Sequence, residues 1–187
     1  MNVTDLDLQI LRIFNHPTSF GLDILVVTLV FLVYGFLIIL VYHYFRKNDI
    51  KKFSHLVATA IIGYLLVTTL KYVVARERPY LDESIVPVIT KPADPYSFPS
   101  GHSFIAFLLI SFLPSSWPKH IKYLAIAYII FIPIASMYIG VHYPSDVFAG
   151  AIIGIILPKI FSESVSIKIF ERFSSFVKLF LSKLNFR

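Results

Sequence analysis

The sequence predicts an all-α membrane protein, a polytopic helical bundle of about five transmembrane helices with an amphipathic helix at each end. Three observations carry that reading. Of the 187 residues, 57% are hydrophobic and only 15% charged, with a mean hydropathy of +0.75, whereas a soluble domain carries about 25% charged residues. The apolar residues gather in five long runs, and the charges fall in short clusters between them. This balance excludes a soluble globular enzyme, a disordered chain and a nucleic-acid module, because the net charge of +6 is not spread over one face as a nucleic-acid footprint would be. The absence of cysteine removes disulfides, thiolate metal sites and cysteine nucleophiles from consideration. The length suits one domain, 1–187.

Residues 1–19 read as an interfacial segment, in which TDLDLQILRIF has Thr4 or Asp5 as its cap. The core, 20–161, opens with a span from about Leu22 to Tyr42, whose centre, Ile24 to Val41, runs 18 residues without a charge. That is enough to cross a hydrocarbon layer of about 30 Å. No basic region precedes the run and no small-residue cleavage site follows it, so a span is expected rather than a cleavable leader. The second span covers about Phe53 to Val74, the third Gly101 to Leu113, the fourth Ile121 to Ile139 and the fifth Val147 to Phe161. The third is short, so its polar start must help it cross or must line a cavity. Between the second and third lies an irregular stretch, Tyr80 to Pro99, with prolines at 87, 92, 95 and 99. Loops of that length inside a compact protein are functional or disordered.

In 162–187, Ile169, Phe170, Phe173, Phe176, Val177, Phe180, Leu181 and Leu184 recur at helical spacing, while Lys168, Arg172, Ser175, Lys178 and Ser182 take the other face. An amphipathic helix held at the interface by anionic lipid is expected, with a sixth span as the alternative.

Charge sets the orientation. Arg46, Lys47, Lys51, Lys52, Lys119, Lys122, Lys159, Lys168, Arg172, Lys178, Lys183 and Arg187 fall on one side of a five-span topology, against Arg12, Lys71, Arg76, Arg78 and Lys91 on the other. The N-terminus is therefore expected outside and the C-terminus in the cytoplasm, with the chain integral to a prokaryotic cell membrane.

The unusual residues collect on the outer side. Ionisable groups at membrane depth are costly, so they face a cavity or one another. Lys71 and Arg78 stand seven residues apart and share a face if the helix continues through Ala75 and Arg76 to Pro79; a lysine point charge and an arginine fork both suit phosphate oxygens, and a snorkelling basic pair is the alternative. In Phe98-Pro-Ser-Gly-His-Ser103, Ser100 caps a helix, Gly101 lets backbone approach a ligand, and the free amides make an anion site in which His102 protonates a leaving oxygen. The alternative there is a capped helix with an interfacial histidine. In Gly140-Val-His-Tyr-Pro-Ser-Asp146, Asp146 can hold one ring nitrogen of His142 and direct the other outward, which makes His142 a candidate nucleophile at phosphorus; Asp146 as a mere helix cap is the alternative. Two histidines and an aspartate could bind a metal, but the neighbouring cations favour phosphate, and no metal or other cofactor is expected.

K-x6-R-P at Lys71 to Pro79, P-S-G-H at Pro99 to His102 and H-x3-D at His142 to Asp146 resemble, in order and spacing, the three signature motifs of the type 2 phosphatidic acid phosphatase (PAP2) superfamily. These are integral-membrane, metal-independent enzymes that remove phosphate from lipid phosphates and diphosphates. The resemblance implies Lys71, Arg78, Ser100 and Gly101 as phosphate binders, His102 as acid, His142 as the nucleophile that forms a phosphohistidine, and Asp146 as its orienter. It also implies a lipid phosphate or diphosphate as partner. The short chain resembles the compact polyprenyl (undecaprenyl or dolichyl) diphosphate phosphatases, with phosphatidate and phosphatidylglycerophosphate as competing substrates. One departure stands out. The family's third motif usually has an arginine six residues before the histidine, and here Ser136 occupies that place. A natural variant that uses Arg76 instead, an inactivating substitution, and a degenerate homologue that binds or transports lipid phosphate without turnover are the three explanations.

Overall fold

The computed structural model describes residues 3–88 and 94–184. Lys91, Pro92 and Arg187, which carry part of the charge and loop reading, lie outside the described residues, as do the side chains of Phe173, Phe176 and the tail residues beyond. Seven helices follow in order: α1 Val3–Phe14, α2 Phe20–Arg46, α3 Ile50–Val74, α4 Gly101–Ile110, α5 Lys119–Tyr138, α6 Pro144–Ile160 and α7 Glu163–Leu184. A single 3₁₀ turn follows α3 at Pro79–Leu81. Among the described residues there is no strand, as the composition and periodicity predict.

Local chemistry sets most of the boundaries. The Ser19 hydroxyl accepts the Leu22 N–H to open α2, and the Asp49 carboxylate accepts the Lys52 N–H at 3.1 Å to open α3. Pro144 begins α6, where its missing N–H costs nothing. The expected continuation of α3 to Pro79 does not occur. Ala75 turns left-handed (φ 48°) and closes the helix through its N–H to the Lys71 carbonyl, and Arg78 is extended (φ −81°, ψ 147°). The ring of Pro79 also disfavours the α region at Arg78, which adds to the break that Ala75 makes. Lys71 and Arg78 are therefore not on one helical face.

Segments α2 and α5, with Ile50–Leu81 built on α3, are each long and apolar enough to cross a membrane; α6 with the start of α7 makes a fourth candidate bent by 83°. Helix α4 has ten residues, about 15 Å at 1.5 Å per residue, half of what a span needs. It survives by being enclosed. Phe104, Leu108 and Leu109 are wholly buried, and α4 touches α2, α3, α5 and α6. Its backbone lies against α6 at two glycines: a Cβ on Gly150 would stand 2.3 Å from the Ser100 carbonyl oxygen, and one on Gly154 2.5 Å from that of Phe104. Small residues at such crossings are what let membrane helices meet closely. The outside of the bundle is apolar, with Ile38, Ile61 and Phe148 all more than half exposed, the arrangement lipid favours and water does not.

The N-terminal segment is docked on the bundle. Asp7, Leu11 and Asn15 are buried, and α1 packs on α5 and α6. Asn15 donates to the carbonyls of Val86 and Tyr138 and accepts the Val86 N–H at 2.7 Å, fastening α1 to the loop after α3 and to the end of α5. At the other terminus α7 leaves α6 sharply and returns to α3, where Phe170 meets Phe53 edge-on.

Candidate active site

The C-terminal ends of α3 and α5 and the N-terminal ends of α4 and α6 meet at one end of the bundle, around a cavity of about 450 Å³. Lys71, Arg78, Gly101, His102 and His142 all line it. The positive ends of two helix dipoles, α4 and α6, lie at this end and favour an anion. From α2 come Phe31 and Tyr34, whose rings meet His102 edge-on at 5.1 and 5.3 Å. From α3 come Tyr64 and Tyr72, both more than half exposed on the apolar outside of the bundle, as is Phe31. The cavity thus joins a cationic floor to an aromatic rim on the lipid-facing surface.

The two cations are brought together by the loop. Lys71 is 6% exposed and Arg78 3%. Both donate to one oxygen of Asp94, Lys71 at 3.2 Å and Arg78 through Nη2 in a very short contact. Lys71 also donates to the Tyr96 carbonyl at 2.8 Å. Arg78 gives Nε to the Asp94 carbonyl and Nη1 to the Val141 carbonyl at 2.9 Å, which anchors the residue next to His142. Burial alone would raise the Asp94 carboxyl, but Lys71 and Arg78 outweigh it and hold the group below the ordinary carboxylate range.

His142 is buried between α5 and α6, and its Nδ1 lies 3.6 Å from Oδ2 of Asp146. That is an ion-pair distance rather than a formed hydrogen bond, and Nδ1 has no other partner. Asp146 is wholly buried; its Oδ2 also accepts the Tyr143 N–H at 2.8 Å and its Oδ1 accepts Arg76 Nη1 at 2.8 Å. With Nδ1 facing the carboxylate, Nε2 is the nitrogen left to attack. Burial pushes His142 below the ordinary imidazole range against the pull of Asp146, and Arg78 and Lys71 add to the lowering, so the ring is neutral at pH 7. Nε2 of His102 is likewise buried without a partner.

Three expected residues stand elsewhere. Ser100 does not line the cavity; its hydroxyl caps α4 on the Ser103 N–H, and its own N–H donates to the Asp146 carbonyl at 3.0 Å. Ser136 is wholly buried in α5 and spends its hydroxyl on the Ile132 carbonyl at 2.9 Å. Arg76 does not take the absent arginine's place at the cavity. Both ends of its fork are committed, one to Asp146 and Ser145 and the other to Asp7 at 2.7 Å, with the guanidinium 3.8 Å from the centre of the Tyr143 ring. The reason is the left-handed turn at Ala75, which separates Arg76 from the Lys71 and Arg78 side. Among the described residues, no three histidine or acidic side chains gather as a metal site would require.

Sequence reading missed Asp94, Asp7, Ser145 and the aromatic rim. Asp94 had a signal, as the one carboxylate between Glu83 and the P-S-G-H motif in a loop already marked as functional. Asp7, a second acid in an apolar N-terminal stretch, had a weaker one.

A helical membrane bundle with two buried cations, two histidines and two helix N-termini around one cavity has the chemistry of an anion site. The chain belongs to the PAP2 superfamily, whose family model matches residues 52–168, more than half of it. It is 35% identical over 100 residues to an undecaprenyl-diphosphatase of Sulfolobus acidocaldarius, covering 53% of this chain and 48% of that one. It is 29% identical over 136 residues to the uncharacterized protein MJ0662 of Methanocaldococcus jannaschii, covering 68% and 55%. The chain therefore spans about half the length of the curated relatives it matches. Among solved structures it resembles LpxE of Aquifex aeolicus, with a TM-score of 0.72 and 31% identity over 90% of this chain and 99% of that one. It also resembles the PAP2 type phosphatidylglycerolphosphate phosphatase of Bacillus subtilis, with a TM-score of 0.66 and 25% identity over 87% of each. This is an integral-membrane member of a family of lipid phosphatases.

Proposed function

We propose that the protein hydrolyses the terminal phosphate of a polyprenyl diphosphate of undecaprenyl or dolichyl type, at a site facing the outside of a prokaryotic cell membrane. The observation that carries this reading is the single cavity lined by Lys71, Arg78, His102 and His142, with His142 backed by the buried Asp146 carboxylate. The likeness to an undecaprenyl-diphosphatase supports the substrate class, and the exposed aromatic rim supports a substrate whose tail stays in lipid. The excess of lysine and arginine at the far end supports the orientation.

The phosphate enters by replacing the Asp94 carboxylate on Lys71 and Arg78, with the free amides at Gly101 and His102 as further donors. Nε2 of His142 attacks phosphorus, and the bond to the bridging oxygen breaks. His102, which takes up a proton as the anionic headgroup enters beside it, gives that proton to the oxygen, and polyprenyl phosphate leaves. Asp146 stabilises the cationic phosphohistidine. Water, losing a proton to His102, then attacks the phosphorus and releases inorganic phosphate and neutral His142. The cations and amides hold charge that grows in the transition state, where such contacts lower the barrier.

The test is release of inorganic phosphate from undecaprenyl diphosphate, phosphatidate and phosphatidylglycerophosphate in detergent micelles, with His142→Ala as control. Highest kcat/KM on the diphosphate and none in the variant is expected; equal activity in the variant refutes the nucleophile, and preference for another lipid refutes the substrate. The serine at 136 favours a second reading, a binder or transporter of lipid phosphate without turnover. In that case native protein and Ser136→Arg both bind the diphosphate and both release nothing, whereas a large gain on Ser136→Arg marks a site that is catalytic and slowed.

A further inference from the structure

We propose that Asp7, on α1, is a positioning residue for this site, which through Arg76 and Ser145 holds the Asp146 carboxylate against His142 and keeps its negative charge available to that ring. The inference rests on the reading of His142 as nucleophile. It concerns a helix that lies outside the stretch matched by the family model.

Asp7 is 5% exposed. A buried carboxylate is costly unless each oxygen finds a donor, and here both do. Oδ2 accepts Arg76 Nη2 at 2.7 Å and the Ser145 hydroxyl, and Oδ1 accepts the Ser145 N–H at 3.1 Å. Arg76 passes the connection on, giving Nη1 to Asp146 Oδ1 at 2.8 Å and to the Ser145 hydroxyl at 2.6 Å. The rigid arginine fork suits this bridge, one terminal nitrogen serving each carboxylate. The second oxygen of Asp146 is the one that faces His142. Hydrogen bonds therefore run from the N-terminal helix through Asp7 and Arg76 to Asp146, whose other oxygen faces His142 at 3.6 Å.

The electrostatic count gives Asp7 its effect. Arg76 paired with Asp146 alone would leave a neutral couple behind the histidine. With Asp7 the trio carries a net charge of −1, and that charge faces a ring that becomes cationic when phosphorus is attacked. The other groups facing the ring are Lys71 from α3, Arg78 from the segment after it, His102 from α4 and Asp94 from the loop. The phenols of Tyr34, Tyr64 and Tyr72 share the cavity. None of these is altered by a change at Asp7, and none of the phosphate-holding groups touches it.

The experiment measures kcat, KM and the pH profile of phosphate release from undecaprenyl diphosphate for native protein, Asp7→Asn and Asp7→Glu. Asp7→Asn is expected to lower kcat roughly tenfold, comparable to the low end of what outer partners of metal-bound histidines cost, with KM unchanged. The acid limb of kcat/KM is expected to move to lower pH, because His142 loses negative support and binds its proton less tightly. Asp7→Glu keeps the charge and recovers most of the rate. Should Asp7→Asn fail to fold, Arg76→Lys, which replaces the two-nitrogen fork with a single point charge, is expected to show the same loss in kcat at constant KM. Wild-type kcat and an unmoved acid limb in Asp7→Asn overturn the proposal, whatever happens to the melting temperature. So does a fall in which KM changes as much as kcat. Activity in His142→Ala defeats the underlying reading instead, so the two failures are told apart.

Discussion

Replacing Asp94 with asparagine should tighten the binding of phosphate. In the structure one Asp94 oxygen accepts from both Lys71 and Arg78, the two cations the substrate needs, so binding is an exchange of one anion for another. Charge-assisted hydrogen bonds contribute about 1.5–3 kcal/mol each when desolvated. The Asp94 side chain is 42% exposed, and solvent screening draws each contact toward the 0.2–1 kcal/mol of exposed pairs. Loss of both contacts is therefore worth about 1–2 kcal/mol, and at 1.4 kcal/mol per factor of ten KM for the lipid diphosphate and the inhibition constant for inorganic phosphate should fall about 5- to 30-fold. Because Asp94 makes no contact with His142 in this arrangement, kcat should change little. The Asp94 carboxyl is held below its ordinary range, so the competition is complete above about pH 3.9 and fades as pH falls through the lowered value. Native protein and variant should differ throughout the neutral range. Steady-state phosphate release with added inorganic phosphate measures both constants, and an unchanged or raised KM in Asp94→Asn would refute the exchange.

Gly150→Ala should cost about 1–3 kcal/mol, the range of core overpacking, and should lower kcat/KM as well. The new Cβ strikes the Ser100 carbonyl and pushes the start of α4, with His102, off α6; Gly35→Ala, which meets nothing within 4 Å, should leave melting temperature and activity alone, and equal effects in the two would contradict the packing. With His142 lowered by burial, the acid limb of kcat/KM should lie below the ordinary imidazole value of about 6.5, and a limb above it would contradict the buried neutral ring. The same lowering makes the unfolded chain bind more protons than the folded one as pH drops through about 6.5, so stability should decline toward acid, as thermal melts at pH 7 and pH 5 would register.

Much of the site could be read before any coordinates. Lys71, Arg78, His102, His142 and Asp146 are ionisable side chains where lipid penalises charge, and that cost is visible in a string of letters. The helices were equally legible, because apolar runs between charge clusters admit few other structures. What escaped was decided by backbone turns and long-range pairing. The left-handed Ala75 has no sequence mark, yet it sends Arg76 to Asp146 and Arg78 to the cavity. The Arg78-Pro79 pair did carry the warning, since the residue before proline avoids the helix. Asp94 and Asp7 meet their partners only across 16 and 69 residues of chain, beyond the reach of any local pattern. Ser136 remains a departure from the family motif, and its buried hydroxyl, satisfied within its own helix, supplies no substitute for the missing cation.

The bonds of Asp7 also fix an order of events during synthesis. Its partners Arg76 and Ser145 follow it by 69 and 138 residues, so α1 emerges from the ribosome long before anything exists to receive it. Arg76 arrives next and can pair with Asp7 while Asp146 is still unmade. The nascent chain thus holds Lys71 and Arg78 well before His142 has a carboxylate behind it, and the cluster is complete only when the start of α6 has been translated and lies beside α1.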